Sequence, residues 1–215
     1  DKVRIIPLGI EESSYSKDED EGIFERIGIN AKEPFFLFLG VLRYYKGVQF
    51  LLKAAKKTGA KIIIAGSGPE KEGLQALADE LSVSNVVFAG QVTNEEKVTL
   101  LKNCRALVLP SHLRSEAFGM VLVEASMFKK PLISCEIGTG TSYVNEDEVT
   151  GFVVPPESPE ALSQAMNTLL TNEQLAVQMG EAARTRYENL FSGQVLGKAY
   201  AELFRELGEM ESSSS

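Results

Sequence analysis

The 215 residues are enough for one large α/β core, and 44% apolar and 24% charged residues, 18 glycines and no tryptophan exclude a disordered or collagen-like chain. A formal net charge of -8 excludes a general binder of nucleic acid or of anionic membranes, because neither surface attracts an acidic domain over long range. One histidine and two scattered cysteines cannot build a conventional zinc site; Cys104 and Cys135, in apolar strand-like stretches, read as reduced, buried thiols of a cytosolic protein, and no apolar run is long enough to span a bilayer.

Asp1 opens the chain without a methionine or signal peptide, and Ser212 to Ser215 close it. Both ends read as cut, and 212–215 as a tail outside the fold. Residues 1–10 form a short apolar segment closed by Pro7 and Gly9, and 11–22 are polar and acidic, so 1–22 reads as an interdomain connection followed by a loop. The remainder, 23–211, reads as one domain. Its repeating part starts at Pro34: strand 35–39, helix 46–57 with Val48, Leu51, Leu52 and Ala55 at helical spacing, and strand 61–65. Next come helix 70–81, strand 86–88, helix 94–102, strand 106–109, helix 119–128 and strand 131–134. After Gly151 the chain reads as a short strand, Phe152 to Val154, and three helices near 158–169, 172–187 and 192–209, the last of which are expected to pack on a neighbouring domain.

Strands apolar on both faces, alternating with helices of about three turns, predict a Rossmann-like, doubly wound parallel sheet covered on both sides. Ligands of such sheets lie beyond the carboxyl ends of the strands. The loops after Leu39, Ala65, Ala89, Pro110 and Cys135 therefore form one rim.

Four rim segments carry residues that a core does not explain. In Gly40–Gly47, Arg43 and Lys46 stand where a strand hands over to a helix; two cations oppose the helix dipole there unless an anion such as phosphate lies between them. A solvent-exposed basic turn is the alternative. Gly66-Ser67-Gly68-Pro69 allows close backbone approach to a ligand, with Pro69 suited to the first turn of the next helix, or is a plain strand-to-helix turn. In Ser115 to Glu124, Gly119 opens a helix whose first N–H groups face the rim. Glu124 interrupts an apolar run, which is costly unless donors reach it; two adjacent sugar hydroxyls would supply them, and so would a backbone turn or a core cation. Glu116, one step before that helix, reaches the same cleft. Glu136 to Ser142 is a compact loop of small and hydroxyl residues, able to approach a ligand or to serve as a polar turn. His112, alone and with no Ser–Asp partners in view, does not make a hydrolytic triad.

Together these segments resemble the retaining glycosyltransferases of GT-B fold known as family 4 or group 1, over about Val3 to Leu207. The resemblance centres on Glu116-Ala-Phe-Gly-Met-Val-Leu-Val-Glu124, a pair of glutamates separated by seven residues. Its flanks are Pro110-Ser111, Gly66 to Pro69, Gly151 to Pro156 and Pro159 to Leu162. It implies the C-terminal half of a GT-B fold, with a nucleotide sugar bound as substrate, no cofactor and no metal. Glu124 would hold the ribose hydroxyls, Glu116 would face the transferred sugar, and the backbone of Phe118, Gly119 and Met120 would meet the distal phosphate. Arg43 and Lys46 would neutralise the leaving diphosphate. Gly90, Gln91, Val92 and the loop with Gly66 and Gly68 would receive the base, and Gly138 and Thr139 would complete the donor site.

The chain departs from the family at one point. Val41 stands where the family has an arginine after the glycine, and Arg43, two positions on, would replace it from a shifted turn. The stretch Cys135 to Asn145 is similar to bacterial members that build lipopolysaccharide O-antigen or exopolysaccharide, which makes GDP-mannose the first donor and UDP-hexoses the next. A missing N-terminal acceptor-binding domain, a glycan or lipid-linked acceptor and no nucleic acid complete the expected partners. The resemblance implies a cytoplasmic protein, with attachment to the inner membrane left to the missing half or to the acceptor. Without that half the chain is expected to bind donor but not to transfer sugar. An epimerase of similar architecture and a non-catalytic nucleotide-binding module are the other two readings.

Overall fold

The computed structural model describes residues 3–15 and 17–212. Six parallel strands, β1 (Phe35–Leu39), β2 (Lys61–Ala65), β3 (Val86–Gly90), β4 (Ala106–Leu109), β5 (Leu132–Cys135) and β6 (Gly151–Val154), form one sheet in the order β3-β2-β1-β4-β5-β6. All five residues of β1 are buried, as a strand must be when no side chain on either face can meet water. Side-chain alternation splits the core in two. Phe36, Phe38, Ile62, Ile64, Val108 and Ile133 face α2 (Val48–Ala55), α3 (Lys71–Leu81) and α7 (Pro159–Thr171). On the other face Phe35, Leu37, Ile63, Leu107 and Leu109 meet α1 (Gly22–Arg26), α4 (Asn94–Asn103) and α5 (Met120–Met127).

Helix ends obey local chemistry. Thr93 and Glu96 form a reciprocal capping box at α4, in which Glu96 N–H donates to Thr93 Oγ1 at 3.2 Å and Thr93 N–H donates to Glu96 Oε2 at 2.8 Å. Ser158 caps α7, with Pro159 at its first position, and Asn172 caps α8 (Glu173–Arg186). A short α6 (Thr141–Val144) comes after β5, and a π-helical turn, Tyr187–Phe191, leads to α9 (Gly193–Ser212).

The expected elements are present, with shifts at their ends. The helix read over 46–57 is a 3-10 turn, Tyr44–Lys46, followed by α2, because Gly47 at φ 71° interrupts the helical path. Pro69 lies ahead of α3, which starts at Lys71, rather than in its first turn. Residues 11–22 contain a 3-10 turn, Glu12–Ser14, and Gly22 already begins α1, a helix the sequence pattern did not mark. Of the tail at 212–215, only Ser212 falls within the described residues, as the last residue of α9.

Cys104 and Cys135 are buried free thiols, and burial pushes each up to about 12. A raised thiol gives almost no thiolate below that pH. Iodoacetamide at pH 8 should therefore leave both cysteines unmodified in the folded chain and alkylate both after denaturation, read by intact mass. Rapid labelling of the folded protein would contradict this burial.

Candidate functional site

The sheet order reverses direction between β1 and β4. From β1 the chain runs outward to β2 and β3, and from β4 it runs the other way to β5 and β6. The connections leaving these two neighbours therefore diverge and leave a crevice at their carboxyl ends. That crevice is a pocket of about 480 Å³, lined by Leu39 at the end of β1, by Gly40 and Lys46 beyond it and by Ser115 to Val121 and Glu124 after β4, with Leu8 and Lys97 also in its lining.

The turn after β1 is pressed against the end of β4. A Cβ on Gly47 would lie 1.9 Å from the Pro110 carbonyl oxygen, so only glycine fits at this φ of +71°. The approach brings the Lys46 ammonium to Glu116, and the two side chains form an ion pair with only 13% and 11% of their surfaces exposed. Ser111 Oγ donates to the same Glu116 oxygen at 3.1 Å. The anion expected beside Lys46 is thus, in this structure, a carboxylate of the chain itself. His112 stiffens the same corner: its ring is buried, with Nδ1 2.8 Å from Glu157 Oε1 and Nε2 3.1 Å from the Tyr44 carbonyl, and it packs edge-on against Tyr44 and Phe50.

After β4, Gly119 adopts φ 78° and starts α5 with no side-chain cap. The first N–H groups of α5 therefore have no capping side chain, and the residues that carry them, Met120 and Val121, line the pocket with Gly119. Phe118 turns its ring inward onto Phe191, with centroids 6.0 Å apart, which leaves its backbone at the pocket wall. One turn into α5, Glu124 Oε1 accepts hydrogen bonds from Tyr15 Oη at 2.6 Å and Lys97 Nζ at 3.2 Å. These donors explain how a carboxylate is tolerated in the apolar run. Burial and the Glu124 bond push the Tyr15 phenol well above its ordinary range, so it remains a donor.

Lys46, Glu116, Phe118, Gly119, Met120 and Glu124 are brought together in one pocket. Arg43 is not among its lining; it caps the 3-10 turn in an extended conformation and is exposed. Gly66 and Gly68 serve the packing of two loops: a Cβ on Gly66 would lie 1.9 Å from the Gly40 carbonyl oxygen and one on Gly68 2.4 Å from that of Leu42. Their close backbone approach is thus to the neighbouring turn. Gly90, Gln91 and Val92 lie at the end of β3 and just beyond it, next to that loop, where Gly66 N–H donates to the Gly90 carbonyl at 2.7 Å. Gly138 N–H donates to Glu136 at 2.8 Å, Thr139 faces Thr141, and the same loop is tied to the pocket turn by Gly140 N–H donating to Ala117 at 2.9 Å. Tyr15 and Lys97 escaped sequence reasoning. Lys97 comes after Gln91-Val92 on a helix leaving the rim, which is the one signal that could have found it.

A second cleft, of about 290 Å³, opens at the amino ends of the strands beside Lys32, Arg105, Lys129 and Lys130, far along the sheet from the glutamate pair. Among the described residues no group of three or more His, Cys, Asp or Glu side chains is placed to hold a metal ion. No helix among them is long and apolar enough to cross a membrane.

Residues 19–186 match the family model described as glycosyl transferases group 1. The chain is 44% identical over 214 residues to O-antigen chain mannosyltransferase C of Escherichia coli, covering 99% of this chain and 57% of that protein. It is 46% identical over 195 residues to D-rhamnosyltransferase WbpZ of Pseudomonas aeruginosa, covering 89% of this chain and 50% of that one. The chain thus spans about half the length of these relatives. Sucrose-phosphate synthase from Thermosynechococcus elongatus superposes with a TM-score of 0.83 at 25% identity, over 96% of this chain and 53% of that chain.

The contact at Gly47 yields a test. Gly47→Ala places a methyl group against the Pro110 carbonyl and a side chain at positive φ, so it should cost on the order of 2 kcal/mol or more and lower the melting temperature. Gly73→Ala, in α3 where nothing lies within 4 Å of the added carbon, should be neutral or slightly stabilising. Equal melting temperatures for the two variants would contradict the described approach of the turn to β4.

Proposed function

Because this chain belongs to the glycosyl transferases group 1 family, we propose that it is the donor-binding half of a retaining glycosyltransferase, which moves a sugar from a nucleoside diphosphate sugar to a glycan or lipid-linked acceptor. The observation that carries this reading is the convergence of Glu116, Glu124, Lys46 and the uncapped start of α5 in one pocket at the reversal point of the sheet.

Each group then has one task. The N–H groups at the start of α5 receive the distal phosphate, where the helix dipole favours negative charge. Lys46 moves from Glu116 to the diphosphate as the bond to the sugar breaks, and Glu116, released from it, faces the transferred sugar. Glu124 accepts from the ribose hydroxyls. The base lies along Gly90 to Val92 beside the Gly66–Gly68 loop, and Gly138 and Thr139 border the phosphate turn through Gly140. Arg43, exposed on its turn, contributes to the leaving group by swinging inward when donor binds.

Lys46 and Lys97 balance Glu116 and Glu124, so the charged side chains lining the pocket cancel before donor arrives. This suits a substrate that brings its own hydroxyls and its own negative charge. The hydroxyls replace a lysine at a glutamate, and the phosphates take the lysine released.

GDP-mannose is the first donor, supported by the likeness to a protein named for mannosyl transfer in O-antigen synthesis, with UDP-hexoses next. A missing N-terminal acceptor-binding domain, joined through the connection at 1–22, would supply the other wall of the cleft. Its contact surface is proposed on the exposed Val3 and Ile5 and on the α9 face of Tyr200, Phe204 and Leu207, which Arg4 joins through its ion pair with Glu206. The full-length protein would act in the cytoplasm, at the inner membrane where the acceptor is lipid-linked.

Calorimetry with GDP and UDP in the presence of EDTA tests the reading. The chain should bind at least one of them, and Glu124→Gln should weaken that binding by about 1 to 3 kcal/mol, since a charged acceptor of hydroxyl hydrogen bonds is lost. Glu116→Gln should change it far less, its partner being the sugar. No binding of either nucleotide by folded protein, or equal effects of the two substitutions, would contradict the assignment.

A further inference from the structure

We propose that Tyr15, from the segment that precedes the domain, is a positioning residue of the donor site: its hydroxyl holds the Glu124 carboxylate so that Oε1 is anchored and Oε2 is presented to the ribose. The inference rests on the assignment of Glu124 to the ribose.

A carboxylate offers about four acceptor positions, two on each oxygen. Tyr15 Oη at 2.6 Å and Lys97 Nζ at 3.2 Å both end on Oε1, and no described residue donates to Oε2. Two acceptor positions therefore remain on Oε2, one for each of two adjacent hydroxyls. A carboxylate with both oxygens free would rotate among several hydrogen-bonded arrangements, and each would have to be given up on binding.

Three features make Tyr15 the fixed partner and Lys97 the mobile one. The Tyr15 ring is wedged edge-on against Phe128, with centroids 6.1 Å apart, and lies beneath the Lys97 ammonium at 4.7 Å from its centroid. It is joined to the core cluster on the α5 side of the sheet, whereas Lys97 extends a flexible stem from α4. Burial and Glu124 itself raise the phenol, so it keeps its proton and goes on donating to the carboxylate.

The consequence reaches beyond recognition. Tyr15 lies in the stretch that leads toward the preceding domain, and Ile10 in the same stretch pairs with Ser192 at the start of the C-terminal helix. Order in this connection and order at the ribose carboxylate are therefore linked through one hydrogen bond.

Tyr15→Phe removes the hydroxyl and keeps the ring against Phe128 and Lys97. Binding of GDP or UDP, whichever the chain takes, is compared with the 2′-deoxy and 3′-deoxy forms for wild type, Tyr15→Phe and Glu124→Gln, with melting temperatures recorded for each. Wild type should prefer the ribose form, and Tyr15→Phe should bind that form about three- to tenfold more weakly, a loss of one charge-assisted hydrogen bond. Its binding of the deoxy forms should change little, so the preference shrinks, while the melting temperature shifts by a few degrees at most. Preference lost in Glu124→Gln but intact in Tyr15→Phe would overturn the role of Tyr15 and leave the ribose assignment standing. Tighter binding by Tyr15→Phe would overturn it too, by making Tyr15 an obstruction. No preference in wild type would overturn both.

Discussion

The divergence of the chain from β1 and β4 is the constraint on which the site depends. These strands are hydrogen-bonded neighbours, with Phe36 opposite Ala106 and Leu37 opposite Leu107, yet the chain leaves them toward opposite edges of the sheet. Nothing in the backbone pairing fills the space above their carboxyl ends. It is filled from the side by two turns: the one with Lys46, drawn in by Gly47 against Pro110, and the one with Glu116 to Gly119, drawn in by Gly140 against Ala117. Both approaches use glycine because a Cβ at either position would overlap its neighbour: on Gly140 it would fall 2.5 Å from the Phe118 ring.

The charges in the crevice support the proposed ligand. Each glutamate is mostly buried and each carries a lysine, Lys46 on Glu116 and Lys97 on Glu124, so neither carboxylate is left uncompensated. A ligand with hydroxyls alone would leave the lysine displaced from Glu116 without a partner, and one with phosphates alone would meet two carboxylates. A nucleotide sugar carries both kinds of group in one molecule, with the ribose, the phosphates and the sugar in a fixed order. In the proposed assignment these groups fall to Glu124, the start of α5 and Glu116, which line one pocket.

Much of this was legible in the sequence. Apolar strands alternating with helices specify the sheet because each strand must be covered twice, and Glu124 stood out because a carboxylate in Met-Val-Leu-Val needs donors. The donors themselves could not be read. Tyr15 and Glu124 are 109 residues apart, and Tyr15 lies among acidic and polar residues that look like a solvated loop. Lys97 comes after two glutamates on α4 and looks like one charge on a wet helix face. Gly66 and Gly68 illustrate the reverse: the residue type allows a close backbone approach, but local pattern does not say what approaches. Here it is the backbone of Gly40 and Leu42. Arg43 shows the limit of spacing arguments in a turn: Val41 and Arg43 are both exposed and both outside the pocket lining, so residue type and spacing alone do not place the cation.

A crystal structure of the chain with GDP or UDP bound would test the central claim most directly. The ribose should lie on Glu124, with the distal phosphate at the backbone of Phe118, Gly119 and Met120 and with Lys46 turned from Glu116 toward it. Nucleotide bound instead in the cleft beside Lys32, Arg105, Lys129 and Lys130, or bound at the crevice with its ribose away from Glu124, would contradict the account.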